Sequence, residues 1–179
     1  MLIWGDSFEV LKTMGDNSVD HIITDFVYDG EFPLADAIRV CKGNIITFCA
    51  PENQPFKPDE FAFWIKTPST KNYSKHIGRF VEMILILRQG DTFNKGLHWS
   101  QYTGVYNDLV VGGDGHQWRK PLSLMERLVR IYTNANDVVL DCFCGSGTTL
   151  EACRNLGRSY IGIDIDPKWI NVCREKGLD

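Results

Sequence analysis

Residues 138–149, with the sequence VVLDCFCGSGTT, join an apolar strand pattern to a glycine turn and a helix start. The pattern predicts a strand over 138–141 and a helix that begins at Thr148. In open α/β sheets, ligands bind at the carboxyl ends of parallel strands. The free N–H groups at the start of a helix favour carboxylate or phosphate groups. The stretch therefore predicts a ligand-binding turn in an α/β domain.

Three common glycine motifs do not fit this turn. A P-loop has a lysine after its last glycine, where this chain has Thr148. A nucleophile elbow separates its first glycine from the serine, but here Gly145 directly precedes Ser146. A dinucleotide fingerprint needs glycine or alanine where Leu150 stands. An ordinary strand–turn–helix with small residues remains an alternative.

A second strand unit follows at residues 159–167, SYIGIDIDP, and places Asp164 17 residues after Gly147. An acid at the tip of the second strand can bind both hydroxyls of an adenosine ribose. The turn has Asp141 and no lysine, which suits a nucleoside with a carboxylate better than a diphosphate. These residues favour a nucleoside site.

The remaining chain alternates short apolar runs with amphipathic stretches, which predicts an α/β domain with a mostly parallel sheet. The predicted strands are 1–4, 21–24, 44–48, 61–66, 81–87, 138–141 and 159–163. The predicted helices are 7–14, 34–41, 121–133, 148–156 and 167–176. No helix pattern separates 61–66 from 81–87, so we expect an antiparallel pair there. Residues 89–115 are predicted to be a long loop.

Composition limits the class of protein. The 179 residues suit one domain, and 44% apolar with 23% charged residues excludes a disordered chain. No apolar run approaches about 18 residues, and the N-terminus has no signal-peptide pattern, so we expect neither a membrane span nor secretion. The six cysteines form no CxxC pair, which argues against a metal site and favours reduced thiols in a cytoplasm.

Charge is unevenly distributed along the chain, although the net charge is −4. Residues 1–60 hold 4 basic and 11 acidic residues, residues 61–130 hold 10 and 5, and residues 131–179 hold 5 and 7. The basic middle third fits either a solvated surface or a strip that faces phosphates.

Several separated motifs together resemble one enzyme family. These are residues 141–149 (DCFCGSGTT), 157–167 (GRSYIGIDIDP), 116–121 (HQWRKP) and 16–25 (DNSVDHIITD). They resemble the S-adenosylmethionine-dependent amino-methyltransferases of DNA, which methylate adenine N6 or cytosine N4. The catalytic segment precedes the cofactor turn, as in the beta group. The resemblance implies a Rossmann-like methyltransferase fold with circularly permuted motif order, in which residues 1–4 supply the third strand of the cofactor half.

The resemblance also implies a set of cofactor-binding residues for S-adenosylmethionine. They are Asp6, Lys120, Asp141, Phe143, Gly145, Ser146, Gly147, Thr148, Thr149 and Asp164.

Residues 25–28, DFVY, match the position of the family's catalytic Asp-Pro-Pro-Tyr. By this resemblance, Asp25 and the Phe26 carbonyl would accept the two amine N–H groups, and Tyr28 would stack on a flipped base. Both prolines are missing, which reduces the stiffness of the backbone that aims the carbonyl. An aspartate at the first position is commoner in the adenine enzymes, so adenine N6 is the expected target. Cytosine N4, or a weakly active protein that binds DNA or cofactor, is the alternative.

DNA is the expected partner, and RNA is a weaker candidate. The expected DNA-binding residues are Lys66, Lys71, Lys75, Arg79, Arg88 and Arg119. Within a single methyltransferase domain, 1–179, only residues 89–115 are available as a target-recognition region. We therefore expect loose or short sequence preference, or recognition shared across a homodimer. The resemblance points to the cytoplasm of a prokaryotic or phage-infected cell, and to restriction–modification or phage biology.

Overall fold

The computed structural model describes residues 1–26, 31–50, 54–66, 81–89, 96–98, 102–109 and 119–179. The strands are β1 (Leu2–Trp4), β2 (His21–Thr24), β3 (Ile45–Cys49), β4 (Glu60–Ile65), β5 (Val81–Leu87), β6 (Val105–Tyr106), β7 (Val138–Asp141) and β8 (Ser159–Asp164). The helices are α1 (Ser7–Thr13), α2 (Leu34–Val40), α3 (Leu122–Tyr132), α4 (Thr148–Asn155) and α5 (Pro167–Glu175). No helix in these ranges is long and apolar enough to cross a lipid bilayer.

All the strands join one sheet in the order β1-β8-β7-β2-β3-β5-β4-β6. The five strands from β1 to β3 are parallel, β5 is antiparallel to both β3 and β4, and β6 is parallel to β4. The predicted mostly parallel α/β sheet and its antiparallel pair are therefore confirmed. The structure adds that β5 is antiparallel to β3 as well.

The central strands are buried on both faces, which explains their continuous apolar sequences. Successive residues alternate between two cores: Ile23, Ile46 and Val139 face one core, and Ile22, Ile45 and Leu140 face the other. Residues of α3 and α4 complete the first core, and residues of α1 and α2 complete the second. A slip of one residue would exchange the two sets, so burial fixes the register of these strands.

The first residues of the chain lie beside its last strand. Strand β1 pairs in parallel with β8, with Leu2 opposite Gly162 and Trp4 opposite Asp164. This confirms the expectation that residues 1–4 extend the half of the sheet that carries the glycine turn.

The predicted elements agree with the structure to within one residue at each end. The exception is β6, which lies within the predicted loop 89–115 and pairs with β4 through Val105 and Tyr106. A two-residue strand carries no measurable periodicity, so the pattern could not reveal it. Tyr106 is buried, with the Arg127 guanidinium 4.6 Å from its ring centroid.

Two glycines near α4 hold the left-handed backbone conformation for different reasons. Gly147, at the start of α4, has φ of 82°, and a β-carbon there would lie 2.7 Å from Cys173 Sγ and 2.9 Å from Leu178. Gly157, just after α4, has φ of 72°, and a β-carbon there would meet nothing within 4 Å. Position 157 therefore needs glycine for conformation alone, whereas position 147 also lacks room for a side chain.

We expect Gly147→Ala to destabilise the protein more than Gly157→Ala. Both substitutions should lose about 1–2 kcal/mol to the left-handed conformation. The Gly147 variant should lose about a further 1–3 kcal/mol, because the added methyl overpacks the contact with α5. Urea unfolding of both variants measures the difference. Equal losses would show that α5 moves away without cost.

Candidate active site

Four aspartates lie at the carboxyl ends of four neighbouring parallel strands. Asp6 follows β1, Asp164 ends β8, Asp141 ends β7, and Asp25 follows β2. All four line a cleft of about 710 Å³. The other lining residues are Ser7, Phe8, Phe26, Glu31, Arg119, Lys120, Met125, Phe143, Cys144, Gly145, Ser146, Thr148, Thr149, Ile165, Asp166 and Trp169. The sheet order therefore brings both ends of the sequence to one site.

Backbone hydrogen bonds fix Asp164 at the tip of β8. Gly145 N donates to Asp164 Oδ2 over 2.8 Å, and Asp166 N donates to Asp164 Oδ1 over 2.9 Å. Lys176 Nζ donates to the Ser146 carbonyl over 2.8 Å, which secures the glycine turn from the side of α5. Because each carboxylate oxygen can accept more than one hydrogen bond, Asp164 can still receive hydroxyl donors.

Asp141 is tied to the neighbouring strand by a buried hydroxyl. Thr24 Oγ1, at the end of β2, donates to Asp141 Oδ1 over 2.7 Å. Phe143 N donates to the same oxygen over 3.1 Å. Burial raises the pKa of Asp141 from 3.8 to about 6, against hydrogen bonds from Thr149, Thr24 and Phe143 that lower it. This carboxyl therefore changes its charge close to neutral pH.

The start of α1 closes the opposite side of the cleft. Asp6 caps this helix, and its Oδ1 accepts a hydrogen bond from Phe8 N over 2.9 Å. Ser7 Oγ donates to the Cys142 carbonyl, which joins α1 to the turn after β7. The rings of Phe8, Phe143 and Trp169 add apolar surface to the same cleft.

Asp25 belongs to a cluster of four charged side chains. Lys120 Nζ donates to Asp25 Oδ2 and lies 3.3 Å from Glu82 Oε2. Lys66 Nζ pairs with Glu82 Oε1. Lys120 and Glu82 are each only 6% exposed. Burial lowers the pKa of Lys120, but Asp25 and Glu82 outweigh it and raise that pKa overall, so the ammonium stays charged.

The structure brings together most of the cofactor residues implied by the resemblance, with two differences. Gly147 lies against Cys173 of α5 and Leu178, which follows α5, instead of lining the cleft. Lys120 lines the cleft, but its ammonium pairs with Asp25 and Glu82. Gly147 is therefore needed by the backbone of the turn, and Lys120 is joined to the predicted catalytic residue.

Of the predicted catalytic residues, Asp25 and Phe26 line the cleft, and Tyr28 lies outside the described residues. Phe26 is 3% exposed and packs among Cys49, Met83 and Leu85. Its ring meets Phe32 edge-on, with 5.6 Å between centroids.

Three of the expected DNA-binding residues lie within the described residues, and each is found in a different place. Arg119 lines the cleft, where its Nε donates to Thr148 Oγ1 over 3.2 Å. Lys66 pairs with the buried Glu82. Arg88 pairs with Glu60 at the other end of β5, about 20 Å from Glu82 at 3.3 Å per residue. Lys71, Lys75 and Arg79 lie outside the described residues. Lys66 and Arg88 therefore lie at opposite ends of the β4–β5 pair, and their contact with DNA stays a prediction.

Sequence reasoning missed Thr24, Ser7 and Glu82. A signal for Glu82 was present, since it is the one charged residue in the apolar strand β5, and a buried acid needs a cationic partner. No comparable signal marked the two hydroxyls, because serine and threonine are common at strand and helix ends.

A family model for DNA methylases, covering adenine-N6 and cytosine-N4 enzymes, matches residues 13–175. The chain belongs to the N6/N4 DNA methylase family. The crystal structure of M1.HpyAVI in complex with S-adenosylmethionine superposes with a TM-score of 0.77 at 28% identity, over 98% of each chain. The methyltransferase fold inferred from the sequence is therefore confirmed.

Two relatives of this N6/N4 DNA methylase are type II methyltransferases. M.BglI of Bacillus subtilis is 31% identical over 123 residues, which cover 61% of this chain and 35% of M.BglI. M2.DpnII of Streptococcus pneumoniae is 31% identical over 145 residues, which cover 71% of this chain and 53% of M2.DpnII. The chain thus spans about half or less of the length of these relatives.

We expect the stability of this DNA methylase to depend on pH through Asp141. Its pKa is higher in the folded state, so its stabilising contribution is complete below about pH 4 and is lost as the pH rises to about 6. The difference corresponds to about 3 kcal/mol. Relative to Asp141→Asn, the wild-type protein should therefore lose about that free energy of unfolding between pH 4 and pH 7.

Urea unfolding of both proteins across this pH range measures the loss. Asp20→Asn serves as a control, for which the free energy of unfolding should change with pH in the opposite direction. Burial raises the pKa of Asp20, but hydrogen bonds from Val138 N and Lys42 outweigh it and lower that pKa. Relative to its variant, the wild type should gain stability from Asp20 as the pH rises through this group's ionisation. A pH-independent difference for Asp141→Asn would contradict the assignment.

Proposed function

We propose that this chain transfers a methyl group from S-adenosylmethionine to the exocyclic N6 of adenine in DNA. The observation that carries the proposal is the shared cleft, in which Asp25 lies two strands away from Asp164. Membership of the N6/N4 DNA methylase family supports methyl transfer to an exocyclic amine. The choice of adenine rests on the aspartate at position 25.

The cleft fits the cofactor in size and in chemistry. A volume of about 710 Å³ lies within the range of small-molecule sites. Asp164 offers carboxylate oxygens to ribose hydroxyls, and Asp6 and Asp141 add negative charge for a cationic ligand. The rings of Phe8, Phe143 and Trp169 offer apolar surface to adenine. When bound, S-adenosylmethionine supplies an electrophilic methyl group on a sulfonium.

Asp25 supplies the acceptor that the target amine needs. The lone pair of an exocyclic amine is delocalised into the base, so the nitrogen is a poor nucleophile. A carboxylate that accepts an amine N–H helps the nitrogen to become tetrahedral, and preorganised groups of this kind provide most of the acceleration. The ion pair with Lys120 holds Asp25 at the edge of the cleft as a carboxylate.

The packing of Phe26 replaces part of the stiffness of the absent prolines. The family motif holds its backbone with two proline rings, whereas this chain holds Phe26 in a buried cluster with Cys49, Met83 and Leu85. A side chain with 3% exposure restricts the backbone to which it is attached. The Phe26 carbonyl is therefore a suitable second acceptor for the amine.

A protein that binds cofactor or DNA but transfers little is the second candidate. The substitution of both prolines at 26–27 favours it, because packing against side chains aims a carbonyl less rigidly than two rings do. If cytosine N4 is the target, the first proposal keeps its mechanism and only the methylated base differs.

We expect Asp25→Asn to reduce methyl transfer by about 10²–10³-fold, since an amide keeps the shape of the group but loses its charge. The measurement uses S-adenosylmethionine with a labelled methyl group and DNA free of methylation, followed by digestion and mass spectrometry of the nucleosides. Cofactor affinity by calorimetry should be unchanged. Asp16→Asn, at an exposed ion pair with Arg39, is the matched control and should keep full activity.

The products separate the alternatives. Labelled N6-methyladenine supports the proposal, and N4-methylcytosine would move the target to cytosine. Cofactor binding by the wild type without any labelled nucleoside would favour the binding protein. Equal rates for the wild type and Asp25→Asn would remove Asp25 from catalysis.

A further inference from the structure

We propose that Glu82 is a positioning residue for methyl transfer, which fixes the Asp25 carboxylate through Lys120. The inference rests on the proposed function and concerns a residue outside the matched catalytic motif. Glu82 does not line the cleft, so it acts through its neighbour and not on the substrate.

The strand pattern explains where the Glu82 side chain points. Glu82 lies opposite Trp64 on β4, and it shares its face of β5 with Ile84 and Ile86, which pack in the core beneath α3. It lies near the start of β5, which runs antiparallel to β3, so it meets the carboxyl ends of the parallel strands. This position brings a buried carboxylate to Lys120, just before α3.

Lys120 needs this second carboxylate. Its ammonium is buried over the rings of Phe48 and Trp64, at 4.8 and 5.9 Å from their centroids. It also precedes the N-terminus of α3, where the helix dipole disfavours a cation. A buried ammonium in this environment is stable only when it is paired. Asp25 and Glu82 share that role, since both pair with the Lys120 ammonium.

The charges in the cluster balance. Lys66 and Lys120 carry two positive charges, and Asp25 and Glu82 carry two negative charges. If Glu82 were neutralised, Asp25 would be the remaining acidic side chain of this four-residue cluster, together with two lysines. Lys120 would then draw Asp25 away from the cleft, or it would lose its proton more readily. Either change weakens the acceptor that the amine needs.

The first test compares the kinetics of Glu82→Gln with those of Glu126→Gln. We expect Glu82→Gln to lower kcat by at least about tenfold, towards the 10²-fold typical of a misplaced catalytic group. The KM and the binding constant for S-adenosylmethionine should change by less than about twofold. Glu126→Gln makes the same chemical change on α3, where Glu126 accepts one hydrogen bond from Asn155, and should match the wild type.

The second test is the pH response. Because Glu82 raises the pKa of Lys120, its loss should move the alkaline limit of kcat to lower pH. The ¹³Cε signal of Lys120, followed by NMR without cofactor or DNA, should titrate at lower pH in Glu82→Gln than in the wild type. Glu82→Asp keeps the charge and should restore the titration towards the wild-type pH, which a loss of folding would not do.

The outcomes separate this inference from the proposed function. A wild-type protein that binds cofactor but methylates no DNA would overturn the proposed function. The role of Glu82 in positioning Asp25 for methyl transfer would then be overturned as well. An active wild type in which Glu82→Gln changes neither kcat nor the Lys120 titration would overturn the role of Glu82 alone. The role of Glu82 would also be overturned if kcat fell only in proportion to the loss of folded protein and the Lys120 titration did not change.

Discussion

The structure depends on four parallel strands that end side by side. Strands β1, β8, β7 and β2 all finish at one edge of the sheet, and each delivers an aspartate there. A hydrogen bond of 2.7 Å from Thr24 to Asp141 joins the carboxyl ends of β2 and β7. Because β2 and β7 are more than 100 residues apart in sequence, this parallel pairing is what places Asp25, the proposed catalytic residue, near the glycine turn.

Environment gives similar carboxylates different properties. Burial makes the charge of Asp141 costly and raises its pKa to about 6, although neutral hydrogen-bond donors lower it in part. Asp25 faces a buried ammonium, which keeps it a charged acceptor at the edge of the cleft. Asp164 accepts hydrogen bonds from two backbone N–H groups, which fix its carboxylate at the tip of β8. Such differences suit the proposed binding of a cation, a ribose and an amine at separate points of the cleft.

Most of the fold was predictable, because strands buried on both faces and helices with one apolar stripe leave strong sequence patterns. The glycine turn and the four acidic strand ends were predictable because they lie at or just after the ends of such strands. The positions of the basic residues in the fold were not predictable, since charge counted along the chain does not tell which end of a strand a residue occupies. Antiparallel β5 brings Glu82 to the site and carries Arg88 to the opposite end. The charged cluster around Lys120 joins residues from four separate parts of the chain, and no local pattern reveals that they meet.

We infer that the cofactor lies between Asp164 and Asp25 in the cleft that both residues line. A crystal structure with S-adenosylhomocysteine bound tests it most directly. The predicted result places the ribose hydroxyls within hydrogen-bonding distance of Asp164 and the sulfur on the side of the cleft that faces Asp25. A ligand bound elsewhere, or bound in this cleft with its ribose away from Asp164 and its sulfur away from Asp25, would contradict the claim.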